Sequence, residues 1–236
     1  MCGRYVIPDA AEIERFWHVG RHNLAGFQKP LWKVAPTATA PMLRLAGDKL
    51  ELVAARWGFI PFWWKEERPA RNTHNARSEE ALKKAMWRIP AAKSRCLVPA
   101  MGWYEWKEVQ QIDRLTGEVK KAKQPYFIRL PDRQPIAFAG LMSRRPDDEG
   151  KPQFTFTILT RDAVGSVAEI DGRMPIALPK DAEAAWLLSE LTDPEVAIEF
   201  ARKYAITELV QHPADSRVDD ARNERADLIE PFPNPA

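Results

Sequence analysis

The sequence is poor in the residues that build disulfide frameworks and metal centres, since its 236 residues include two cysteines and four histidines. This is too few cysteines for a stapled secreted domain, so we interpret Cys2 and Cys96 as free thiols. Because the cysteines and histidines also lack metal-ligand spacing, we expect no metal and no other cofactor. No apolar run approaches the roughly 20 residues of a membrane span, and the start lacks a signal-peptide pattern. We therefore expect a cytoplasmic protein.

Charge is distributed unevenly along the chain, although the formal net charge is only +2. Residues 1–145 contain 26 Lys and Arg against 14 Asp and Glu, whereas residues 146–236 contain 9 against 19. If the basic residues gather on one face, that face suits a polyanion such as nucleic acid. Scattering of the charges over a solvated surface is the alternative.

Local patterns indicate a mixture of strands and helices. Segments rich in β-branched, aromatic and alternating apolar residues predict strands at Leu50–Trp57, Gln124–Leu130 and Phe154–Thr160. Helical patterns, with capping residues at Asp9, Ser78 and Asp193, cover Asp9–His18, Ser78–Ile89, Lys180–Leu188 and Pro194–Tyr204. Because these elements show no regular βαβ alternation, we predict an α+β fold. Its basis would be a curved, mostly antiparallel, barrel-like sheet with flanking helices.

Two further segments are predicted from their polar, glycine and proline residues. Glu108–Lys123 is rich in lysine and contains a Thr116-Gly117 turn, which predicts a long hairpin. Residues 226–236 end in PFPNPA and are predicted to form an extended tail of a single domain that spans residues 1–236.

Cys2 carries unusual chemistry if Met1 is removed, because it then bears both an α-amine and a thiol. An α-amine has a pKa near ~8 against ~10.4 for lysine, so much more of it is neutral and nucleophilic at pH 7. Such an aminothiol condenses with an aldehyde to an imine, and the thiol can then close a thiazolidine ring. A small, inert thiol at a frayed terminus is the alternative.

Six ordered segments carry a family resemblance: MCGRY at the start, KVAPTA at 33–38, RWGFIPFWW at 56–64, NARSE at 75–79, RCLVPAMGWYEW at 95–106 and GRMPIAL at 172–178. Together they resemble the SRAP family of SOS response-associated peptidases, or abasic-site processing proteins. The resemblance implies a single α+β domain that crosslinks its N-terminal cysteine to abasic sites in single-stranded DNA. This lyase-like activity would protect the lesions in the SOS response.

The resemblance assigns roles to residues around Cys2. Asn75 helps to hold the abasic deoxyribose, and Arg77, which points the same way on a strand, lies close to its phosphate. Glu105 assists at the Cys2 site. Its aromatic neighbours at 103–106 could raise its pKa by desolvation and let it exchange protons near neutral pH. A structural glutamate paired with an arginine is the alternative.

One catalytic position departs from the family pattern. Where the family usually has Ile-His followed by x-Arg-x-Pro, this chain has IDGRMP at 170–175, so Asp171 occupies the position of a catalytic histidine. An ordinary aspartate is ionised at pH 7 and donates no proton, unless burial raises its pKa. We therefore expect a slower or less reversible crosslink. His74 is a candidate substitute, although neighbouring residues on a strand face opposite sides.

The candidate DNA-binding residues are Arg4, Pro36, Trp63, Trp64, Arg77 and Thr160. Arg4 is close to Cys2 in sequence, and the tryptophans could stack on unpaired bases, although we expect one of the pair to be buried. By resemblance, Pro36 lines the cleft and the Thr160 hydroxyl bonds to a phosphate.

A second departure lies in HPADSRVDDARNE at 212–224, where Asp219 stands at a position at which asparagine is common. An acidic residue there would repel phosphate if it faced it. Either this segment lies away from DNA, or this member prefers a different ligand.

Three functions remain open at this point. The first is a covalent sensor of abasic sites, the second is a thiol peptidase that acts on its own amino terminus, and the third is a non-catalytic binder of single-stranded DNA. We expect a monomer whose partner is single-stranded DNA with abasic sites, with replication-fork proteins as further candidates and no membrane partner.

Overall fold

The computed structural model describes residues 2–19, 27–66, 73–112, 117–147, 149–188, 190–220 and 222–232. The strands are β1 Arg4–Ile7, β2 Leu31–Val34, β3 Thr39–Ala46, β4 Lys49–Trp57, β5 Asn75–Arg77, β6 Arg95–Ala100, β7 Gly102–Ile112, β8 Val119–Arg129, β9 Ile136–Pro146, β10 Pro152–Asp162, β11 Arg173–Pro175, β12 Ala177–Leu178 and β13 Val210–Pro213. The helices are α1 Ala10–Trp17, α2 Ser78–Ala81, α3 Ala85–Lys93, α4 Lys180–Leu187 and α5 Pro194–Lys203. Within the described ranges, no helix is long and apolar enough to cross a membrane.

Five strands close into a ring. β10 pairs with β4, β4 with β3, β3 with β6, and β6 with β9, which pairs in turn with β10. Only the pairing of β10 with β4 is parallel among these five. Closure removes open edges from the ring and lets its inner side chains share one core. The predicted α+β fold, with a mostly antiparallel, barrel-like sheet, is confirmed.

A second, antiparallel sheet has the strand order β13-β8-β7-β1-β2 and joins both ends of the chain. Its register places Arg4 on β1 opposite Tyr104 on β7. Because the two strands run in opposite directions, the residues before Arg4 lie alongside the residues after Tyr104. This pairing brings Cys2 and Gly3 next to Glu105.

Aromatic side chains tie β1 to the barrel. Tyr5, Trp57, Trp103 and Phe138 are fully buried. Tyr5 meets Trp57 edge to face with ring centroids 5.0 Å apart, and Trp103 meets Phe138 in the same way at 5.8 Å. Such pairs contribute about 0.5–1.5 kcal/mol beyond the burial of their area. The packing of Tyr5 therefore also fixes the position of Cys2, three residues earlier.

Most of the predicted elements are confirmed. The three predicted strands coincide with parts of β4, β8 and β10, and three of the predicted helices correspond to α1, α4 and α5. Asp9 caps α1 by accepting a hydrogen bond from the backbone N–H of Glu12 at 2.7 Å. Asp193 caps α5 through the N–H groups of Glu195 and Val196. Cys2 and Cys96 are free thiols, as expected.

The single helix predicted for Ser78–Ile89 is wrong, because the chain turns between α2 and α3. A straight helix would place Ala81 and Trp87 on different faces, whereas the turn allows both to be buried. Ser78 is not the capping residue. Arg77 occupies the N-cap position of α2 without a side-chain bond, and the Ser78 hydroxyl donates to the Glu79 carboxylate at 3.1 Å.

The long hairpin is confirmed, since β7 and β8 pair from Trp103 opposite Ile128 to Ile112 opposite Val119. The predicted turn at Thr116 lies outside the described residues. The extended tail predicted for residues 226–236 is wrong at its start, where Ala226–Ile229 form a 3-10 turn. Leu228 is fully buried there in a cluster with residues of β1 and β7, and this long-range contact orders the segment.

Candidate active site around Cys2

Cys2 is fully buried two residues before β1. The side-chain amide of Asn75 donates a hydrogen bond to the Cys2 carbonyl oxygen at 2.7 Å and holds the backbone in place. Burial raises the pKa of the Cys2 thiol well above its ordinary value, and the nearby carboxyl groups of Glu105 and Asp171 add to the increase. The thiol is therefore protonated at neutral pH.

Strand β5 positions Asn75 by pairing in parallel with β10, where Asn75 lies opposite Ile158 and Arg77 opposite Thr160. Asn75 and Arg77 alternate with the buried Ala76 and so share one side of the strand. The Oδ1 atom of Asn75 is buried and has no hydrogen-bond partner among the described residues. A buried acceptor in this state favours a ligand that donates to it.

Glu105 projects from β7 and is only 2% exposed. Burial raises the pKa of its carboxyl group to about 8, and the negative charge of Asp171 acts in the same direction. The carboxyl group is therefore mostly protonated at pH 7, the form that donates a proton. This is the effect expected for a carboxyl group among the aromatic side chains of β7.

Asp171 is half-buried in the turn before β11, and its Oδ1 atom accepts a hydrogen bond from the backbone N–H of Arg173 at 2.8 Å. The Arg173 guanidinium pairs with Glu79 and Asp162 and donates to the Thr160 hydroxyl at 3.2 Å. Burial alone would raise the pKa of Glu79, but the hydrogen bonds from Arg173 outweigh it and lower this pKa to about 2. Sequence reasoning missed Arg173 as a site residue, although it lies in the GRMPIAL motif.

A cleft of about 430 Å³ opens beside Cys2 and is lined by Gly3, Arg4, Glu105, Trp106, Lys123, Asp171 and Asp219. Two basic side chains, Arg4 and Lys123, thus share the cleft with three carboxyl groups. The Trp106 indole N–H donates to Asp219 Oδ1 at 2.9 Å. The segment at 212–224 therefore borders this cleft, because Asp219 helps to form its wall.

Residues 1–221 match the SRAP family, described as SOS response associated peptidase. The chain belongs to the SRAP family. It is 31% identical to the abasic site processing protein YoqW of Bacillus subtilis, over 98% of this chain and 99% of that protein. It is also 31% identical to the abasic site processing protein YedK of Escherichia coli, over 98% and 100% of the two chains. A crystal structure from Bacteroides thetaiotaomicron shares the fold, with a TM-score of 0.78, 23% identity and coverage of 98% of this chain and 100% of that one.

The remaining candidate DNA-binding residues of this SRAP chain differ in their solvent exposure. Pro36 is half-buried in the turn between β2 and β3, and Arg77 is exposed. Trp63 is 44% exposed, whereas Trp64 is half-buried. Thr160 is fully buried, and its hydroxyl accepts a hydrogen bond from Arg173 at 3.2 Å.

None of the three histidines in the described ranges of this SRAP chain hydrogen-bonds to Cys2. The His74 ring packs edge to face against Trp57 with centroids 5.7 Å apart, and burial lowers its pKa. His212 shares a hydrogen bond with the Ile229 carbonyl, and His18 ends α1. Within the same ranges, no group of three or more His, Cys, Asp or Glu could hold a metal ion.

Proposed function

We propose that this SRAP protein is an abasic-site sensor that forms a covalent thiazolidine crosslink with single-stranded DNA through Cys2. The observation that carries the proposal is the arrangement around Cys2, where Asn75 holds the Cys2 carbonyl and a protonated Glu105 near the Cys2 thiol lines the adjacent cleft. The relatives named abasic site processing proteins support a DNA lesion as the substrate. Removal of Met1 is part of the proposal, because it exposes the amine of Cys2.

The chemistry starts from the abasic deoxyribose, whose cyclic hemiacetal is in equilibrium with an open aldehyde. Glu105 donates a proton to the ring oxygen as the ring opens, and its carboxylate takes up the proton of the anomeric hydroxyl as the aldehyde forms. Such general acid–base catalysis contributes about 10²–10⁴-fold. The amine of Cys2 then attacks the aldehyde carbon, and water leaves to give an imine. The sulfur of Cys2 adds to the same carbon while the thiol proton passes to the nitrogen. Aldehyde and aminothiol thus yield a thiazolidine and water.

Polar groups of the candidate site support the binding of a sugar phosphate. Buried nitrogen and oxygen atoms without partners in the described structure include Asn75 Oδ1, Arg4 Nε and Arg173 Nε. Such groups gain stability when a polar ligand satisfies them. In this proposal Asn75 binds the sugar, Arg4 and the exposed Arg77 bind the flanking phosphates, and Asp171 sets the charge near Glu105.

The state of the Cys2 thiol argues against a thiol peptidase. Such an enzyme attacks with a thiolate, which an adjacent base or cation generates by lowering the pKa. Here burial and two nearby carboxyl groups raise the pKa of Cys2 instead. A neutral thiol is compatible with the proposed chemistry, because the amine attacks first.

A crosslink would shield an abasic site from strand cleavage where no complementary strand is present to template excision repair. This role places the protein on single-stranded DNA during replication and the SOS response, with replication-fork proteins as candidate partners.

Denaturing gels with labelled oligonucleotides test the proposal and separate it from non-catalytic binding. We expect a shifted covalent band with single-stranded DNA that contains an abasic site, but not with undamaged DNA. The buried Cys96 provides the matched control, so Cys96→Ala should keep the band and Cys2→Ala should lose it. Binding without any covalent band would leave the non-catalytic function in place of the proposed one.

A further inference from the structure

The outer part of the β7–β8 hairpin, residues 108–112 and 119–123, is a two-stranded arm. In the described structure, β1 pairs with β7 only at 102–104 and β13 pairs with β8 only at 126–129, so neither strand of the arm has a second neighbour. Most of its side chains are exposed, including Val119 at 60%. A hairpin of two strands is marginally stable by itself, and this arm adds little to the core. Most of its side chains therefore lie within reach of a ligand in solution.

One face of the arm continues the wall of the Cys2 cleft. Lys123 lines the cleft, and Lys121 lies two residues further towards the tip of the arm. Because side chains alternate along a strand, Lys121 and Lys123 project from the same face and Lys120 from the opposite one. Two residues of a strand span about 7 Å, roughly the rise of two stacked nucleotides at ~3.4 Å each. A DNA strand that leaves the cleft along this face therefore passes Lys121.

The two lysines of this face have little competition for a phosphate. Lys123 forms no ion pair with the part of the chain that the structure describes. Lys121 lies 3.5 Å from the Glu108 carboxylate on the facing strand, and the two side chains are 85% and 65% exposed. Such an exposed ion pair contributes little, because solvent screens both charges. A phosphate can therefore replace Glu108 as the partner of Lys121.

The cleft itself supplies little net charge for binding a polyanion. Of the side chains that line it, Arg4 and Lys123 are basic, whereas Asp171 and Asp219 are acidic. The carboxyl group of Glu105 is mostly protonated at pH 7. Because DNA carries a negative charge at each nucleotide, its affinity for a protein depends on how many phosphates cationic groups neutralise. Positive charge beyond the cleft, as on the arm, therefore adds to binding.

We propose that this face of the arm is a second, sequence-independent binding surface for the sugar-phosphate backbone of the single strand that leaves the Cys2 cleft. Lys121 is its outer phosphate contact, and Lys123 joins it to the cleft. A lysine suits this role because its ammonium group binds phosphate as a point charge and reads no base. The inference rests on the proposed function, and it adds a contact with undamaged nucleotides beyond the lesion.

Fluorescence anisotropy with a labelled single strand that carries a tetrahydrofuran abasic analogue tests the proposal. This analogue has no aldehyde, so binding is measured without crosslinking. Lys121→Gln should weaken binding about fivefold at about 0.1 M salt, the loss of one phosphate contact. The slope of log K against log salt concentration should become less negative by about 0.7. Glu108→Gln should strengthen binding, because it removes the competing carboxylate.

Lys120→Gln is the matched control on the same arm. It removes the same charge from the opposite face, and the ion pair of Lys120 with Glu118, at 3.4 Å, resembles that of Lys121. This variant should bind as tightly as the wild type. Oligonucleotides shortened stepwise from each end locate the contact. Trimming on one side should weaken the wild type by a similar factor, whereas Lys121→Gln should bind equally well before and after that step.

Two results would overturn the proposal. One is unchanged binding of Lys121→Gln, and the other is an equal loss for Lys120→Gln, which would show a general influence of charge. Failure of the proposed function is distinguishable, because it appears as the absence of a crosslink with an aldehydic abasic site. The anisotropy measurement does not depend on that crosslink, so it still decides whether the arm binds the strand.

Discussion

Glu105 and Glu183 are both buried glutamates, 2% and 6% exposed, but their surroundings differ. Glu183 accepts hydrogen bonds from the Trp17 indole at 2.8 Å and from the Lys180 ammonium at 3.0 Å. Burial raises the pKa of both carboxyl groups, but Lys180 and Trp17 lower that of Glu183, while Asp171 further raises that of Glu105. Burial alone therefore does not distinguish these two carboxyl groups. A cleft and a neighbouring negative charge distinguish Glu105.

The largest expected effect concerns the crosslinking rate. Glu105→Gln keeps the shape of the side chain but removes its acidic proton, so the maximal rate should fall by about 10²–10⁴-fold. Glu183→Gln should keep the wild-type rate, because its partners hold it away from the Cys2 cleft. Single-turnover kinetics on an abasic oligonucleotide measure both variants. Equal rates for the two variants would remove the distinction between the two glutamates.

The stability of the protein should depend on pH through Glu105. Its pKa is about 8 in the folded protein against an ordinary value of 4.5, so the unfolded chain releases this proton first as pH rises. Its contribution to the free energy of unfolding is fully present below about pH 4.5 and is lost as pH rises through about 8. The loss is on the order of a few kcal/mol. Urea titrations should show a flatter pH profile for Glu105→Gln, and matching profiles would contradict the raised pKa.

Glu183 should matter for stability and little for rate. Glu183→Leu leaves the buried Trp17 indole N–H without its acceptor, which costs about 1–3 kcal/mol. Trp17→Phe removes the donor instead, and the double variant should be more stable than the sum of the two single effects predicts. Denaturation at one fixed pH measures this cycle. Simple additivity of the two substitutions would show that the bond contributes nothing.

The smallest effect should come from Asp171, whose charge helps to raise the pKa of Glu105. Asp171→Asn removes that charge, so the decline of the crosslinking rate at alkaline pH should move to lower pH. Asp171→His introduces a group that can donate a proton near neutral pH and should speed reversal of the crosslink by roughly tenfold or more. A pH–rate profile and a strand-exchange assay measure the two variants. An unshifted profile for Asp171→Asn would mean that Asp171 does not act on Glu105.

Local sequence signals predicted much of the fold. The alternating apolar residues of β4 and the aspartate caps of α1 and α5 act through neighbouring residues. These elements can therefore be predicted from the local sequence alone. The break between α2 and α3 could not be predicted in this way. It has no glycine or proline and follows from the burial of Ala81 and Trp87 against distant parts of the chain.

The candidate site was predictable where motifs carry it, as for Cys2, Asn75 and Glu105. The contacts of Arg173 and Thr160 were not predictable, because they depend on the pairing of β10 with β11 and on an ion pair with Glu79. The exposure of the aromatic loop after β4 shows the same limit. The sequence contains three adjacent aromatic residues at 62–64, but only the fold shows that Phe62 and Trp63 face solvent.

The most direct test of the central claim is intact-mass spectrometry of the adduct formed with single-stranded abasic DNA, for the wild type and Cys2→Ser. The thiazolidine account predicts a wild-type chain without Met1, joined to the DNA with loss of one water and stable to heat. Cys2→Ser keeps the amine but loses the thiol, so its adduct should be an imine that survives only after borohydride reduction. A Cys2→Ser adduct as stable as the wild-type one, or no wild-type adduct despite removal of Met1, would contradict the account.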